Sequence, residues 1–483
     1  MTDPGATAPI GQLPSGRSSD GRSSDETSGV GRPTTIRLRL RVSAKLRNLE
    51  LLLLLFAFAV VGAALALVEL GTFGSLQGPV LALAGALATI TLIIHLALRF
   101  VAAQADPFIL PVVTVLNGLG IAAIYRLDIG NHQSGWAAAG VRQIAWTALA
   151  MLLALAVLLL IRNHRVLQRY RYIAMFLGIA LLLLPMLPGV GQTVNGARLW
   201  VRVGSFTFQP GELAKISLAV FFAGYLVTAR DSLSMVGPKF LWMRFPRVRD
   251  LGPILVIWLA AMLVLVFQHD LGMALLFFGL FLVMIYLATG RLSWVVLGLG
   301  LFLGGVLLAS RVLGYVRGRF DSWLDAFNPT IYDAVGGSYQ IVQGIFGIAH
   351  GGLIGTGLGR GSPGLVPLAE SDYIIATLGE ELGLAGIFAI LALYLLFVSR
   401  GFRIGFAGQD DFGRLLGVGL SFAIALQVFI VIGGVTRVIP LTGLTTPFLA
   451  AGGSSLVANW IIAALLLRLS DSVRNQPRLV VGR

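Results

Sequence analysis

No cysteine occurs in the 483 residues of this chain. That excludes a disulfide framework, a thiolate nucleophile and a thiolate metal site. Histidine is nearly as scarce: His95, His132, His164, His269 and His350 are scattered, with no two at metal-ligand spacing, which argues against a zinc centre. Charged residues make up only 12% of the chain, about half the share of a soluble domain. No long apolar run follows Met1, so no cleavable signal peptide is expected. Six glycines crowd between Gly351 and Gly361, but their spacing does not match G-x-x-x-x-G-K-S/T, so they are not a P-loop.

What is present is grease. Hydrophobic residues are 57% of the chain and the mean hydropathy is +0.86, the signature of an all-α polytopic membrane protein. Apolar runs long enough to cross a bilayer, roughly 20 residues each, occupy 49–70, 79–101, 107–125, 138–161, 170–188, 210–229, 251–268, 270–289, 292–313, 384–400, 412–433 and 454–469. Residues 1–48 read as a disordered tail that turns basic before the first run, and 471–483 as a second tail. The net charge of +14 does not call for nucleic acid, because membrane proteins collect Lys and Arg on their cytoplasmic loops. With both termini cytoplasmic, 26 of the 36 basic residues fall inside. The other ten break the rule: Arg126, Arg142, Arg198, Arg202, Lys215, Arg311, Arg317, Arg319, Arg360 and Arg437. Each could pair with a nearby carboxylate; as a set they suggest an outward-facing anion site.

Four stretches could carry chemistry. In VNGARLWVRVGSFTFQPGELAK (194–215), Asn195-Gly196 signals a turn and Pro210 suits the first turn of a helix. Glu212 and Lys215 share one face of that helix, either as a buried ion pair that orients two helices or with Lys215 facing a phosphate-bearing ligand. In QHDLG (268–272), Asp270 reads as a helix N-cap. In 435–455, Pro440, Gly443, Pro447, Gly452 and Gly453 break a membrane-level segment, which is tolerated only where protein or a cavity covers it, and Arg437 is a candidate phosphate contact there. The fourth stretch, 348–386, carries Glu370, Asp372, Glu380 and Glu381 at a membrane edge, where a carboxylate is expensive and therefore suspect as a site. The bland alternative for Asp372 is a helix N-cap, and for the glycines simple flexibility.

Together these stretches resemble the SEDS family, the shape, elongation, division and sporulation proteins of RodA/FtsW type. NGARLW (195–200), FQPGELAK (208–215), QHDLG (268–272), GSYQIVQ (337–343), SDYIIATLGEELG (371–383) and TGLTTPF…GGSS (442–455) occur in the family's order, and the likeness covers about 105–470. The resemblance implies a ten-helix core with a large outer loop, 314–383, between its seventh and eighth helices, which are the ninth and tenth of this chain. Residues 49–104 would add two N-terminal spans, an extension similar to that of actinobacterial RodA-like members. Departures include His269 where proline is usual, and Ala450-Ala451 before GGSS where Ser-Tyr is usual.

The activity so implied is peptidoglycan glycosyl transfer: polymerisation of lipid II at the outer face of the cytoplasmic membrane, for elongation and shape. Asp372 matches the family's essential aspartate and is expected to act as general base in an inverting displacement. Lys215, Glu212 and Trp200 match other family positions, and with Arg198, Arg202, Arg360 and Arg437 they are the expected substrate-binding set. No organic cofactor is implied, and a divalent cation, Mg or Mn, could assist. The expected partners are lipid II, membrane lipids and a class B penicillin-binding transpeptidase whose span packs near 384–433; nucleic acid is not among them. A lipid II flippase, or a non-catalytic scaffold of the wall-synthesis complex, are the alternatives.

Overall fold

Backbone N–H and C=O groups find no partner in hydrocarbon, so an apolar run of bilayer length folds as a helix that bonds to itself. The computed structural model follows this rule for most of its length. It describes residues 41–475 apart from 77, 195, 205, 235–238, 241–242, 245–255, 257, 261, 265 and 335. The helices are α1 (Arg41–Phe73), α2 (Gly78–Val101), α3 (Ile109–Gly130), α4 (Ala139–Leu160), α5 (Arg165–Arg169), α6 (Arg171–Leu183), α7 (Pro210–Ser234), α8 (Leu271–Thr289), α9 (Leu292–Val312), α10 (Gly314–Leu324), α11 (Pro329–Tyr332), α12 (Tyr339–Gly351), α13 (Ile374–Ala407), α14 (Asp411–Val435) and α15 (Gly453–Arg474).

Among the described residues ten helices are long and apolar enough to cross a membrane: α1–α4, α7–α9 and α13–α15. The chain is a multi-pass membrane protein. Of the other two expected spans, 170–188 is the shorter α6, extended by a 3₁₀ turn at Leu184–Met186. The run 251–268 lies largely outside the described residues, as do most of the N-terminal tail and the last eight residues of the C-terminal one. The run 384–400 lies within α13, which breaks at Gly383 (φ 69°, ψ −174°). Helices that are apolar all round sort by neighbours rather than by pattern. In α3, 89% of the most apolar window is buried in protein, against 11% in α9, so α3 is a central post and α9 a peripheral one.

The ends of the described chain meet at one end of the bundle. There Arg474 Nη2 donates to Asp106 Oδ2 at 2.7 Å, and Asp471 Oδ1 accepts from the Gln104 N–H at 2.9 Å. Arg47 joins them by donating to the Ala105 carbonyl. From this terminal end, α1 and α3 run to an opposite, loop end.

Two departures from helix stand at or near the loop end. Gly191–Val194, Ala197–Val203 and Phe206–Phe208 form an antiparallel sheet, β1-β2-β3, pairing Gln192 with Trp200 and Arg202 with Thr207. Gly196 (φ 79°) turns the first hairpin and Gly204 (φ 62°) the second. Pro210 opens α7 directly after this sheet, as its missing N–H allows. The second departure is the non-helical segment between Val435 and Gly453, much of it buried. Its carbonyls are met by side-chain donors: Arg319 on Leu441 (2.6 Å), Gln427 on Thr445 (3.0 Å), Tyr394 on Pro447, and Gln143 on Ala450 (3.0 Å). Irregular backbone at membrane depth needs such cover.

Candidate active site

Asp372 sits in the short turn that leads into α13. The turn is tight: Leu368 takes φ 55° and its carbonyl accepts from the Ser371 N–H at 3.0 Å. Asp372 does not cap the helix, because Tyr373 is the N-cap residue and α13 has no side-chain capping bond. Its carboxylate accepts from Ser371 Oγ at 3.2 Å, and among the described residues no cation lies within ion-pair distance of it. Burial therefore raises its pKa to about 6, partly offset by hydrogen bonding and by the more distant charge of Arg319.

Arg319, on α10, is the cation of this centre. One of its nitrogens is committed to the Leu441 carbonyl, and its charge acts on both Asp372 and Asp270. Burial lowers its pKa, and the two aspartates pull the other way. Asp270 caps α8, accepting from the Met273 N–H at 2.9 Å. That cap does not compensate its desolvation, which lifts it to about 6. Nothing in the sequence separates Arg319 from Arg317 two residues earlier; only the fold turns the first inward, while Arg317 stays exposed and bonds to carbonyls at the end of α9.

The expected substrate-binding residues fall into four places. Lys215 is fully buried and donates to Glu212 Oε2 (2.8 Å), Gln427 Oε1 (2.8 Å) and Asn459 Oδ1 (3.3 Å), so all three of its protons are engaged by α7, α14 and α15. Glu212 connects this node to the acidic centre, since its charge acts on Asp270. Arg198, Trp200 and Arg202 alternate along β2 and so project from one face of the strand. Arg202 is exposed, whereas Arg198 is half-buried and donates to the Leu187 carbonyl at 3.1 Å. Arg437 takes φ 60° and donates to the carbonyls of Trp323 (2.6 Å) and Leu324 (2.8 Å), the last turn of α10. It lines an open cavity of about 700 Å³ with Trp323, Leu324, Phe327, Ile345 and Ile348. Arg360 is exposed on the glycine loop.

That loop, 352–362, is ordered by carboxylates and by a broken helix. Gly359 N–H donates to Glu381 Oε2 (3.1 Å) and Ser362 N–H to Glu380 Oε1 (2.8 Å). Arg126 of α3 closes the cluster on Glu381 Oε1 (3.0 Å) and the Gly361 carbonyl (2.8 Å). At the Gly383 break, Thr356 and Gly357 N–H groups donate to the carbonyls of Glu380 and Glu381, both at 3.0 Å. In return Leu384 and Ala385 donate to the carbonyls of Gly352 and Leu353, at 2.9 and 3.0 Å. The loop thus completes the ladder that the kink interrupts. Asp372 stands at one end of the stretch 372–383, and the grip on the loop at the other.

Among the described residues no three His, Asp or Glu side chains cluster as a metal site. What the arrangement offers is a pair of buried aspartates, Asp372 and Asp270, with raised pKa values, and one nearby cation, Arg319. This suits proton abstraction beside a negatively charged group.

Comparison with known proteins identifies the family. The family of FtsW, RodA and SpoVE, described as cell cycle protein, matches residues 106–475, a stretch that begins after α2. The peptidoglycan glycosyltransferase RodA of Mycobacterium tuberculosis is 47% identical over 390 residues, covering 80% of this chain and 82% of the relative. A probable peptidoglycan glycosyltransferase FtsW of Geobacter is 35% identical over 306 residues, 62% of this chain and 79% of its own. Among solved structures, the rod shape determining protein RodA of Thermus thermophilus shares 27% identity at a TM-score of 0.54, over 78% of this chain and all of the other. A chain from a peptidoglycan synthase complex, described as coordinating polymerization and crosslinking, shares 25% identity at a TM-score of 0.60, over 77% of this chain and 99% of that one.

Proposed function

The chain belongs to the FtsW, RodA and SpoVE family and is a peptidoglycan glycosyltransferase, and from this premise we propose that Asp372 is its general base. The substrate is lipid II, a disaccharide-peptide on a lipid pyrophosphate. The 4-hydroxyl of the acceptor sugar gives its proton to Asp372, and its oxygen bonds to the anomeric carbon of the donor. The bond from that carbon to the pyrophosphate oxygen breaks, the lipid pyrophosphate leaves with the electron pair, and the anomeric centre inverts.

The observation that carries this reading is the state of Asp372: buried, its pKa raised to about 6, and without an ion pair among the described residues. A carboxylate with a pKa close to the working pH is suited to general-base catalysis. The leaving group needs charge neutralisation rather than a proton, so the reading asks for one general base and cations rather than a hydrolase's acid–base pair; Asp270, as buried as Asp372, is committed to capping α8. Arg198, Arg202, Arg360 and Arg437 are the candidate pyrophosphate contacts, and Trp200 a candidate sugar platform. Lys215 and Glu212 act from within the bundle, holding α7 against α14 and α15 beneath Asp270. A Mg or Mn ion, when bound, would add charge neutralisation.

We place the loop end at the outer face of the cytoplasmic membrane, with both termini cytoplasmic and the catalytic core spanning 105–470. The partner is a class B penicillin-binding transpeptidase, packed near 384–433. The test is polymerisation of purified lipid II by the chain with that partner. Asp372→Asn is expected to lower the rate by about two to four orders of magnitude. Near wild-type polymer from this variant would overturn the assignment. Lipid II crossing liposome membranes without polymer would support transport instead.

A further inference from the structure

The family match begins at residue 106, so α1 lies outside it. Yet α1 reaches the glycine loop with backbone-to-backbone contact. A Cβ at Gly71, near the end of α1, would lie 2.2 Å from the Leu358 carbonyl oxygen and 3.1 Å from Gly359 Cα. The contact is reciprocal: a Cβ at Gly359 would lie 2.6 Å from the Val68 carbonyl oxygen and 3.0 Å from Thr72 Oγ1. Gly359 also takes φ +82°, which side chains rarely adopt. Leu358 packs its side chain against the buried patch of Val61, Ala64, Leu65, Leu87, Ile121 and Ala122, contributed by α1, α2 and α3. One turn of α3 secures the assembly. Tyr125 donates to the buried Glu69 of α1 at 3.0 Å, while its neighbour Arg126 holds Glu381 and the Gly361 carbonyl.

We propose that α1 is part of the catalytic apparatus, seating the glycine loop from the side opposite Glu380 and Glu381, and that Gly71 is a positioning residue for Asp372. The inference rests on the glycosyltransferase reading above. The loop is clamped between α1 and the stretch 372–383. A side chain at Gly71 must push backbone, not a yielding side-chain tip, so the displacement passes through the Glu380 and Glu381 contacts to the turn that holds Asp372. Gly71 touches no substrate in this account. It sets where the base stands, so its loss should appear in kcat more than in KM.

The experiment uses the full chain with its partner in liposomes and measures lipid II polymerisation for Gly71→Leu, Gly71→Ala, Gly62→Leu, Gly62→Ala and Asp372→Asn, together with hydrogen exchange over 352–383. Gly62 is the control on the same helix, since a Cβ there meets nothing within 4 Å. Misplacing a catalytic group by about an ångström can cost about a hundredfold. Gly71→Leu is therefore expected to lower kcat by about 10- to 100-fold with a much smaller change in KM, to speed exchange over 352–362, and to leave Gly71→Ala between it and wild type. Both Gly62 variants should stay within about twofold. If Gly71→Leu keeps wild-type kcat, or loses it without a change in exchange over the loop, the inference fails. If Gly71→Leu does not fold, Gly71→Ala against Gly62→Ala decides by the same criteria. An inactive Asp372→Asn beside a fully active Gly71→Leu sinks this inference alone. An active Asp372→Asn sinks the reading of the site on which it rests.

Discussion

The two ends of this molecule differ in how they treat buried charge: both hold closed ion pairs, Arg126 with Glu381 at 3.0 Å among them, but among the described residues the loop end also leaves two aspartates unpaired. At the terminal end each buried charge has found its counter-charge: Glu50 takes Arg47 at 2.7 Å and His95 at 2.6 Å, and Asp106 takes Arg474 at 2.7 Å. At the loop end, Asp372 and Asp270 are as thoroughly buried, but they share Arg319 at long range and pair with nothing at contact distance among the described residues. A buried charge that is fully paired ties elements together; one left poised is available for chemistry. The first kind belongs to stability here, and the second is what the role proposed for Asp372 draws on.

The sharpest way to break this comparison is to neutralise one charge at each end. Asp372→Asn should remove activity by about two to four orders of magnitude and yet raise the melting temperature. The sign follows from its raised pKa. The folded state binds that proton more tightly than the unfolded chain does, so stability is lost as pH rises through about 6. A shift from 3.8 to about 6 amounts to at most about 3 kcal/mol relieved by the amide at pH 7. Glu50→Ala should do the reverse. It strands Arg47 and His95 and should cost about 3–5 kcal/mol of stability, read as a fall in melting temperature, while kcat of the folded fraction is unchanged. If both variants moved stability in the same direction, the two ends would not differ as described.

Arg319→Ala should have a smaller effect, about tenfold in kcat at neutral pH, because it removes the cation that holds Asp372 down. It should move the acidic limb of the rate profile to higher pH. For the unaltered chain that limb should fall tenfold per unit below about pH 6, since the base works only when ionised. A kcat flat down to pH 5 would count against Asp372 as the base.

Most of the spans were readable because lipid imposes both a length and a helix on any apolar run. The break at Gly383 was half-readable, as the place where the expected span 384–400 began. The small sheet was missed. Its Asn195-Gly196 turn was recognised, but the alternation of Arg198, Trp200 and Arg202 beyond it, which marks a strand, was not followed through. The two readings of Glu212 and Lys215, an orienting pair or a ligand contact, could not be separated by spacing alone. Gln427 and Asn459, which surround the ammonium, lie more than 200 residues away. Arg319 had no local signal, and neither did Gly71, whose importance depends on a loop almost 290 residues downstream.

The broken helix α13 has an electrical consequence. A helix interrupted near a bilayer exposes polar backbone, and exposed polar backbone invites water. Here the gap is filled by the 352–357 backbone, which supplies two donors and two acceptors to the severed ends. The plug is peptide rather than solvent, so the break offers no wet wire into the membrane below it. A base that takes a proton from every sugar added, as proposed for Asp372, would thus work beside a break plugged with backbone at this point.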